Sequence, residues 1–251
     1  MRIFTTLLSI FLTATSVLAQ KAPSADELAH RTINAMGGMT ALERARYVSF
    51  TFKVEKDKKE VASFPQRWDR LTGDYHVSGR RPDGLPFEAT INVNTGAVKG
   101  TIQGRTVTTP EEQKKLFQFA YERYVSDTFF LMMPLMMLDP PFARVYDGPR
   151  TDTNGHTWDL LKLTVEVKPG NPPAGTYWPW INRDTGLVDE WDMLPAGLVA
   201  GQPPIEVRFN DYRKIAGLLI SVRRDLRPAI QTVRFDDLQI LSAPPKDAFK
   251  D

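Results

Sequence analysis

Polar and apolar positions alternate over long stretches of this chain, and helical spacing interrupts them twice. In residues 47–55, Val48, Phe50, Phe52 and Val54 alternate with Ser49, Thr51, Lys53 and Glu55. That period of two belongs to a strand with one dry and one wet face. It recurs with Leu161, Leu163, Val165 and Val167, with Ile205, Val207 and Phe209, and with Leu218, Ile220 and Val222. A polar face argues for antiparallel pairing, because parallel strands are covered on both sides. The turns agree. Ile91-Asn92-Val93-Asn94-Thr95-Gly96-Ala97-Val98 matches Ile181-Asn182-Arg183-Asp184-Thr185-Gly186-Leu187-Val188 at most positions. Both read as hairpin turns, with Gly96 and Gly186 supplying a positive φ. Shared turn chemistry explains the match without a domain repeat. Residues 168–175, rich in Pro and Gly, read as an exposed loop.

The first interruption is an N-terminal helix. Ser24 and Glu27 form a capping box, Leu28, Thr32, Ile33, Ala35 and Met36 supply its stripe, and Gly37-Gly38 ends it. A second box, Thr40 with Glu43, predicts a short helical turn after it. The other interruption is longer. Thr109 is an N-cap, Pro110 takes the first helical position, and Leu116, Phe117, Ala120, Tyr121 and Tyr124 follow at helical spacing. It runs into Phe129-Phe130-Leu131-Met132-Met133-Pro134-Leu135-Met136-Met137-Leu138, which holds four of the protein's eight methionines. Pro134 lacks an amide hydrogen and clashes with the preceding turn, so a helix through this run is kinked or restarted there, and Asp139-Pro140-Pro141 stops it. Methionine is soft enough to fill a core or to line an adaptable apolar binding surface. The expected fold is α+β and mainly β: a strongly curved antiparallel sheet, an unclosed half-barrel, with helices across its concave face as a lid.

Residues 1–19 change the picture of where the protein works. Arg2 gives a small positive start, an apolar stretch follows, and Val17-Leu18-Ala19 suits a signal peptidase. The stretch is too short to span a membrane. The mature chain, 20–251, is read as a single domain that is soluble in the periplasm or outside the cell. There is no cysteine, so disulfides, thiolate catalysis and a lipoprotein acceptor are excluded. The balance of 32 Lys+Arg against 30 Asp+Glu supplies no basic field for nucleic acid. Lys56, Lys58 and Lys59 are interleaved with Glu55, Asp57 and Glu60 and read as a solvated turn.

Catalytic chemistry is thin. His30, His76 and His156 are not spaced for zinc, and no Gly-x-Ser-x-Gly elbow, phosphate loop or dinucleotide fingerprint occurs. Asp152, Asn154 and Asp159 lack the pattern of a calcium loop and read as a turn. Carboxylate pairs such as Asp69 with Asp74, or Asp189 with Glu190, cannot be placed in a cleft by separation alone. No cofactor is expected. The aromatic residues point instead to an apolar site. Trp178 and Trp180 share one face of a strand, Tyr177 and Ile181 the other, and a strand apolar on both faces buries both or offers one to a ligand. The candidates for lining an apolar cavity are Phe50, Phe52, Trp68, Tyr75, Phe117, Tyr121, Phe130, Met132, Met133, Met136, Met137, Trp178, Trp180 and Trp191.

The opening helix with Ala35-Met36-Gly37-Gly38, the strand at 47–55, and Phe209-Asn210-Asp211-Tyr212-Arg213-Lys214-Ile215-Ala216-Gly217-Leu218-Leu219-Ile220 together resemble the LolA-like group. The resemblance implies an unclosed β-barrel with a helical lid and an apolar cavity that holds acyl chains. It implies a lipid or acyl-chain ligand and, as partners, envelope lipoproteins or membrane-associated proteins. It does not assign the carrier's cavity arginine to any one of Arg67, Arg70, Arg80 or Arg81. Three functions follow in order: a non-enzymatic carrier or sensor of an apolar ligand, a structural or interaction module of the envelope with a filled core, and an exported hydrolase.

Overall fold

The structure, a computed structural model, describes residues 22–168, 172–198 and 201–250. The export signal at 1–19, and residues 169–171 of the loop at 168–175, lie outside the described residues. Among the described residues no helix is long and apolar enough to cross a membrane.

Two short helices open the described chain, α1 (Ala25–Ala35) and α2 (Met39–Arg44). The first six strands follow: β1 (Tyr47–Lys56), β2 (Lys59–Asp69), β3 (Asp74–Arg80), β4 (Pro86–Asn92), β5 (Val98–Ile102) and β6 (Arg105–Thr106). The long helix α3 (Pro110–Met132) runs into a 3-10 turn (Met133–Met136). Seven strands complete the chain: β7 (Phe142–Thr151), β8 (Thr157–Val165), β9 (Gly175–Asn182), β10 (Val188–Pro195), β11 (Ile205–Ile215), β12 (Leu218–Arg227) and β13 (Gln231–Leu241). All are neighbours in one open antiparallel sheet, ordered β6-β5-β4-β3-β2-β1-β13-β12-β11-β10-β9-β8-β7. The curved sheet keeps two free edges, and the helices lie as a lid over one face.

The local chemistry acts largely as the sequence indicates. Ser24 caps α1 reciprocally with Glu27. Thr109 caps α3 by accepting from the Glu112 amide at 3.3 Å. The two matching hairpin turns are the same device: Gly96 and Gly186 have φ near +77° and +73°, and the Asn92 and Asn182 carboxamides accept from the backbone two and three residues on. The α-helix hands over to the 3-10 turn one residue before Pro134. Two details differ. α2 starts at Met39 with Gly38 as its cap, so Thr40 lies inside the helix and its box with Glu43 does not form. Val167 lies beyond the end of β8 and is 82% exposed, because the strand gives way to the Pro-rich loop.

The core has two halves. One lies under α3 against β1–β5 and β12–β13, with Phe50, Phe52, Phe64, Tyr75, Val77 and Leu116 in it. The other lies under α1 against β7–β11, with Leu28, Leu161, Tyr177, Ile181, Trp191 and Val207. Phe130, Met136, Leu138, Tyr212 and Leu226 touch both.

Candidate functional site

The methionine-rich run sits where the two halves of the core meet. Leu131, Met132 and Leu135 enter the first half, whereas Phe129, Met133 and Met137 enter the second. Loss of one helical amide at Pro134 tightens the backbone, and the tighter turn deals successive side chains to different sides. Phe129 packs on Tyr177 at 5.3 Å and Trp191 at 6.2 Å between ring centres. Phe130 meets Phe52 edge-on at 6.4 Å. Met132, Met133 and Met137 are 2%, 0% and 0% exposed. In this conformation the run fills the space between sheet and lid.

The cavity candidates therefore divide. Phe50, Phe52 and Tyr75 form the floor of the first half, with Trp68, Phe117 and Tyr121 half-buried against it. Phe130, Met132, Met133, Met136 and Met137 form the seam, and Trp191 is wholly buried in the second half. Trp178 and Trp180 are a correction. Tyr177 and Ile181 turn inward, so the period of two turns both tryptophans to the opposite, outer face. There Trp180 donates to Asp192 at 2.9 Å and stacks edge-on with Trp158 at 5.8 Å. Open pockets of about 1010 and 680 Å³ lie at the rim instead. The first adjoins the hairpin turns at Lys58 and Ile230, and the second lies beside α3.

Two buried polar groups tie the lid to the sheet, and sequence reasoning had singled out neither. Arg224, 1% exposed, lies beneath the seam with its guanidinium 3.9 Å above Phe209 and 5.3 Å from Phe235, one ring from each core half. It donates to the carbonyls of Ser221 at 2.5 Å, Phe130 at 3.3 Å and Leu131 at 3.4 Å, and its Nε has no partner. Burial pushes its pKa down to about 9, which leaves it cationic at neutral pH. The parity of β12 was the available signal, since Leu218, Ile220 and Val222 put position 224 on the apolar face. Arg67, Arg70, Arg80 and Arg81 lie elsewhere. Arg67 faces an outer polar pocket, Arg70 holds the carbonyls of Leu42 and Ala45, and Arg80 and Arg81 line the groove beside α3.

The second group is Asp127 on α3, wholly buried. It accepts from Gln66 at 2.5 Å and from Arg123 Nε at 2.9 Å, and Gln66 accepts from the Tyr75 hydroxyl at 2.7 Å. Burial raises its pKa to about 6 against the opposing pull of Arg123. Gln66 shares the inward parity of Phe64 on β2, which is how it reaches the helix.

The hydrolase residues do not converge. His30 is exposed on α1, His76 faces the outer polar pocket beside Thr90 and Glu88, and His156 sits in the 152–156 turn against Asp152. Asp152 accepts from the amides of Asn154 and His156, which makes the turn. Asp69 is held by Arg46 and Glu190 by Arg208.

No family model matches the sequence, and a search of curated proteins finds no match. Solved structures do match. The LolA superfamily protein NE2245 from Nitrosomonas europaea superposes over 92% of this chain and 99% of its own, with a TM-score of 0.52 and 10% identity. A Vibrio parahaemolyticus domain provisionally described as an outer membrane lipoprotein-sorting protein covers 89% and 95%, at a TM-score of 0.47 and 10% identity. MucB aligns over 90% of this chain and 62% of its own at 0.26, too low to carry weight. The chain has a LolA-like fold.

Proposed function

We propose that this protein is exported and acts without catalysis, as a carrier or sensor that takes an acyl chain or similar apolar ligand between the curved sheet and the lid. The observation that carries the proposal is the seam. Its buried Met132, Met133 and Met137 lie between two core halves that share few side chains, and its α-helix gives way to a 3-10 turn at Pro134. Methionines repack around a guest at low cost. Each buried methylene of an acyl chain contributes about 0.8 kcal/mol, so a modest chain offsets lid opening without any catalytic group. Arg224 supports the reading as a latch. Its partners are lid carbonyls, and it stays a buried cation whose hydrogen bonds are easily traded for those of a ligand. In this reading the described structure has the lid closed over the seam. Envelope lipoproteins or membrane-associated proteins are the partners such a carrier would serve.

A second reading has its own observation. A seam with Met133 and Met137 at 0% exposure is also what a structural module with a filled core requires. Organic extraction of natively purified protein followed by mass spectrometry separates the two. Co-purified lipid in near-stoichiometric amount supports the carrier, and an empty extract favours the structural module.

A further inference from the structure

The pocket of about 1010 Å³ lies at the end of the sheet where the β1–β2 and β12–β13 turns meet the segment that leads into β11. Its apolar wall is Pro203, Pro204, Leu226, Pro228 and Ile230. Its volume sits at the upper end of the ~300–1,000 Å³ usual for ligand sites. Its charges nearly cancel. Glu55 pairs with Arg234 at 3.6 Å and Asp225 with Arg223 at 3.1 Å. Asp57 and Glu206 then stand against Lys58 and Arg227, with Glu206 opposite Arg227 in the β11–β12 register. Nothing in this balance recruits a charged headgroup, so recognition falls to the apolar wall.

The wall leads inward through Leu226. Of the five side chains that touch both halves of the core, Leu226 is the one in this pocket's lining. It stands opposite Val207 of the second half on β11. Two positions along its own strand, on the same face, is Arg224, whose register partner on β13 is Val233 of the first half. Arg224 in turn reaches the Phe130 and Leu131 carbonyls of the seam. At the outer lip Ile230 is 73% exposed, with a φ of +46°. A β-branched residue is strained in that conformation, and so exposed a side chain does not offset the strain by burial. We infer that this pocket is the mouth through which the acyl chain enters: Ile230 and the prolines take the tail, and Leu226 passes it to the seam beside Arg224. The inference rests on the carrier reading and adds to it a point of entry and selection for tail over headgroup. The groove of about 680 Å³ beside α3 is the competing entrance, and its lining contains none of the five shared side chains.

The test is stopped-flow uptake of dansyl-labelled undecanoic acid, below its micelle-forming concentration, by the mature chain. Ile230→Asn keeps the fold, because asparagine tolerates a positive φ, and thermal melting should show equal or higher stability. It removes the apolar lip and should lower the association rate constant about fivefold. Val61→Asn, at a side chain 59% exposed in the groove beside α3, should leave that rate unchanged. Laurate and monolaurin, its uncharged glycerol ester, should displace the probe with affinities within about threefold of each other. A rate untouched by Ile230→Asn, or lowered equally by Val61→Asn, would overturn the mouth while leaving the carrier reading intact. A preference for laurate above about tenfold would overturn selection by the tail. Absence of saturable uptake by the wild type would remove the carrier reading itself.

Discussion

Arg224 donates through one guanidinium nitrogen to the carbonyls of Phe130 and Leu131, at 3.3 and 3.4 Å, from beneath the last turn of α3. A β12 side chain thereby holds the part of the lid whose own backbone ladder ends at Pro134. Arg224→Met keeps an apolar stem against Phe209 and Phe235 but removes the donors. Removing a buried cation offsets much of the lost hydrogen bonding, so global stability should change by less than about 2 kcal/mol. Hydrogen exchange at residues 133 and 135–137 should nonetheless quicken, while amides of β1 and β13 stay protected. Unchanged exchange in the 3-10 turn would show that Arg224 does not hold the lid.

Asp127 makes lid docking depend on pH. Its folded pKa, about 6, stands above the ordinary 3.8 of an aspartate because burial penalises the charged form. Between roughly pH 4 and 6 the folded state therefore binds the proton more tightly than the unfolded state. The contribution to stability is full below that window and is lost as pH rises through 6, by at most about 3 kcal/mol. Wild type should gain thermal stability relative to Asp127→Asn as pH falls from about 7 to about 4.5. Parallel melting curves for the two proteins across that range would refute the coupling.

Gly37 approaches the backbone of the β11–β12 turn so closely that a Cβ there would lie 2.3 Å from the Gly217 carbonyl oxygen, and its φ is +117°. Beside it, the Leu219 amide donates to the Met36 carbonyl at 2.8 Å. Gly37→Ala combines a clash with backbone with a strained φ, and should cost about 2–3 kcal/mol, measurable by denaturant unfolding. An effect below about 0.5 kcal/mol would mean that the helical turn is free to shift.

That contact also explains why so much of the fold was legible. Two of the three segments that suggest the LolA-like group, at 35–38 and 209–220, touch each other, so their glycines answer to one tertiary constraint. Alternation placed β1, β11 and β12, because one buried face leaves a period of two in the residues. N-caps at Ser24 and Thr109 placed α1 and α3 for local reasons. The site was less legible. Trp178 and Trp180 looked like ligand contacts because composition does not say which face of β9 is inner, and Tyr177 and Ile181 took the core. Arg224 was hidden by its charge, and its burial is set by Phe209 and Phe235 from neighbouring strands, which no local window contains. Asp127 and Gln66 lie 61 residues apart in sequence and meet only across the lid.

Met133→Asp does not separate a carrier from a structural module. With Met133 at 0% exposure, a carboxylate there is buried in the closed form under either function, so the variant should fail to fold in both cases. Met133→Ala is the informative change. It should lower stability by about 2–5 kcal/mol, the usual range for truncating a buried methionine. Added fatty acid should restore part of that loss by filling the void. A loss of stability that fatty acid leaves untouched would argue for a filled core.

The carrier function is tested most directly by titrating the purified mature protein with a fluorescent fatty acid at submicellar concentration and reading the bound fraction. The result predicted is saturable uptake of about one acyl chain or chain pair per protein, accompanied by faster hydrogen exchange in the turn at Met133–Met136. Absence of uptake, with the turn equally protected before and after the fatty acid is added, would contradict it and leave the seam as ordinary core.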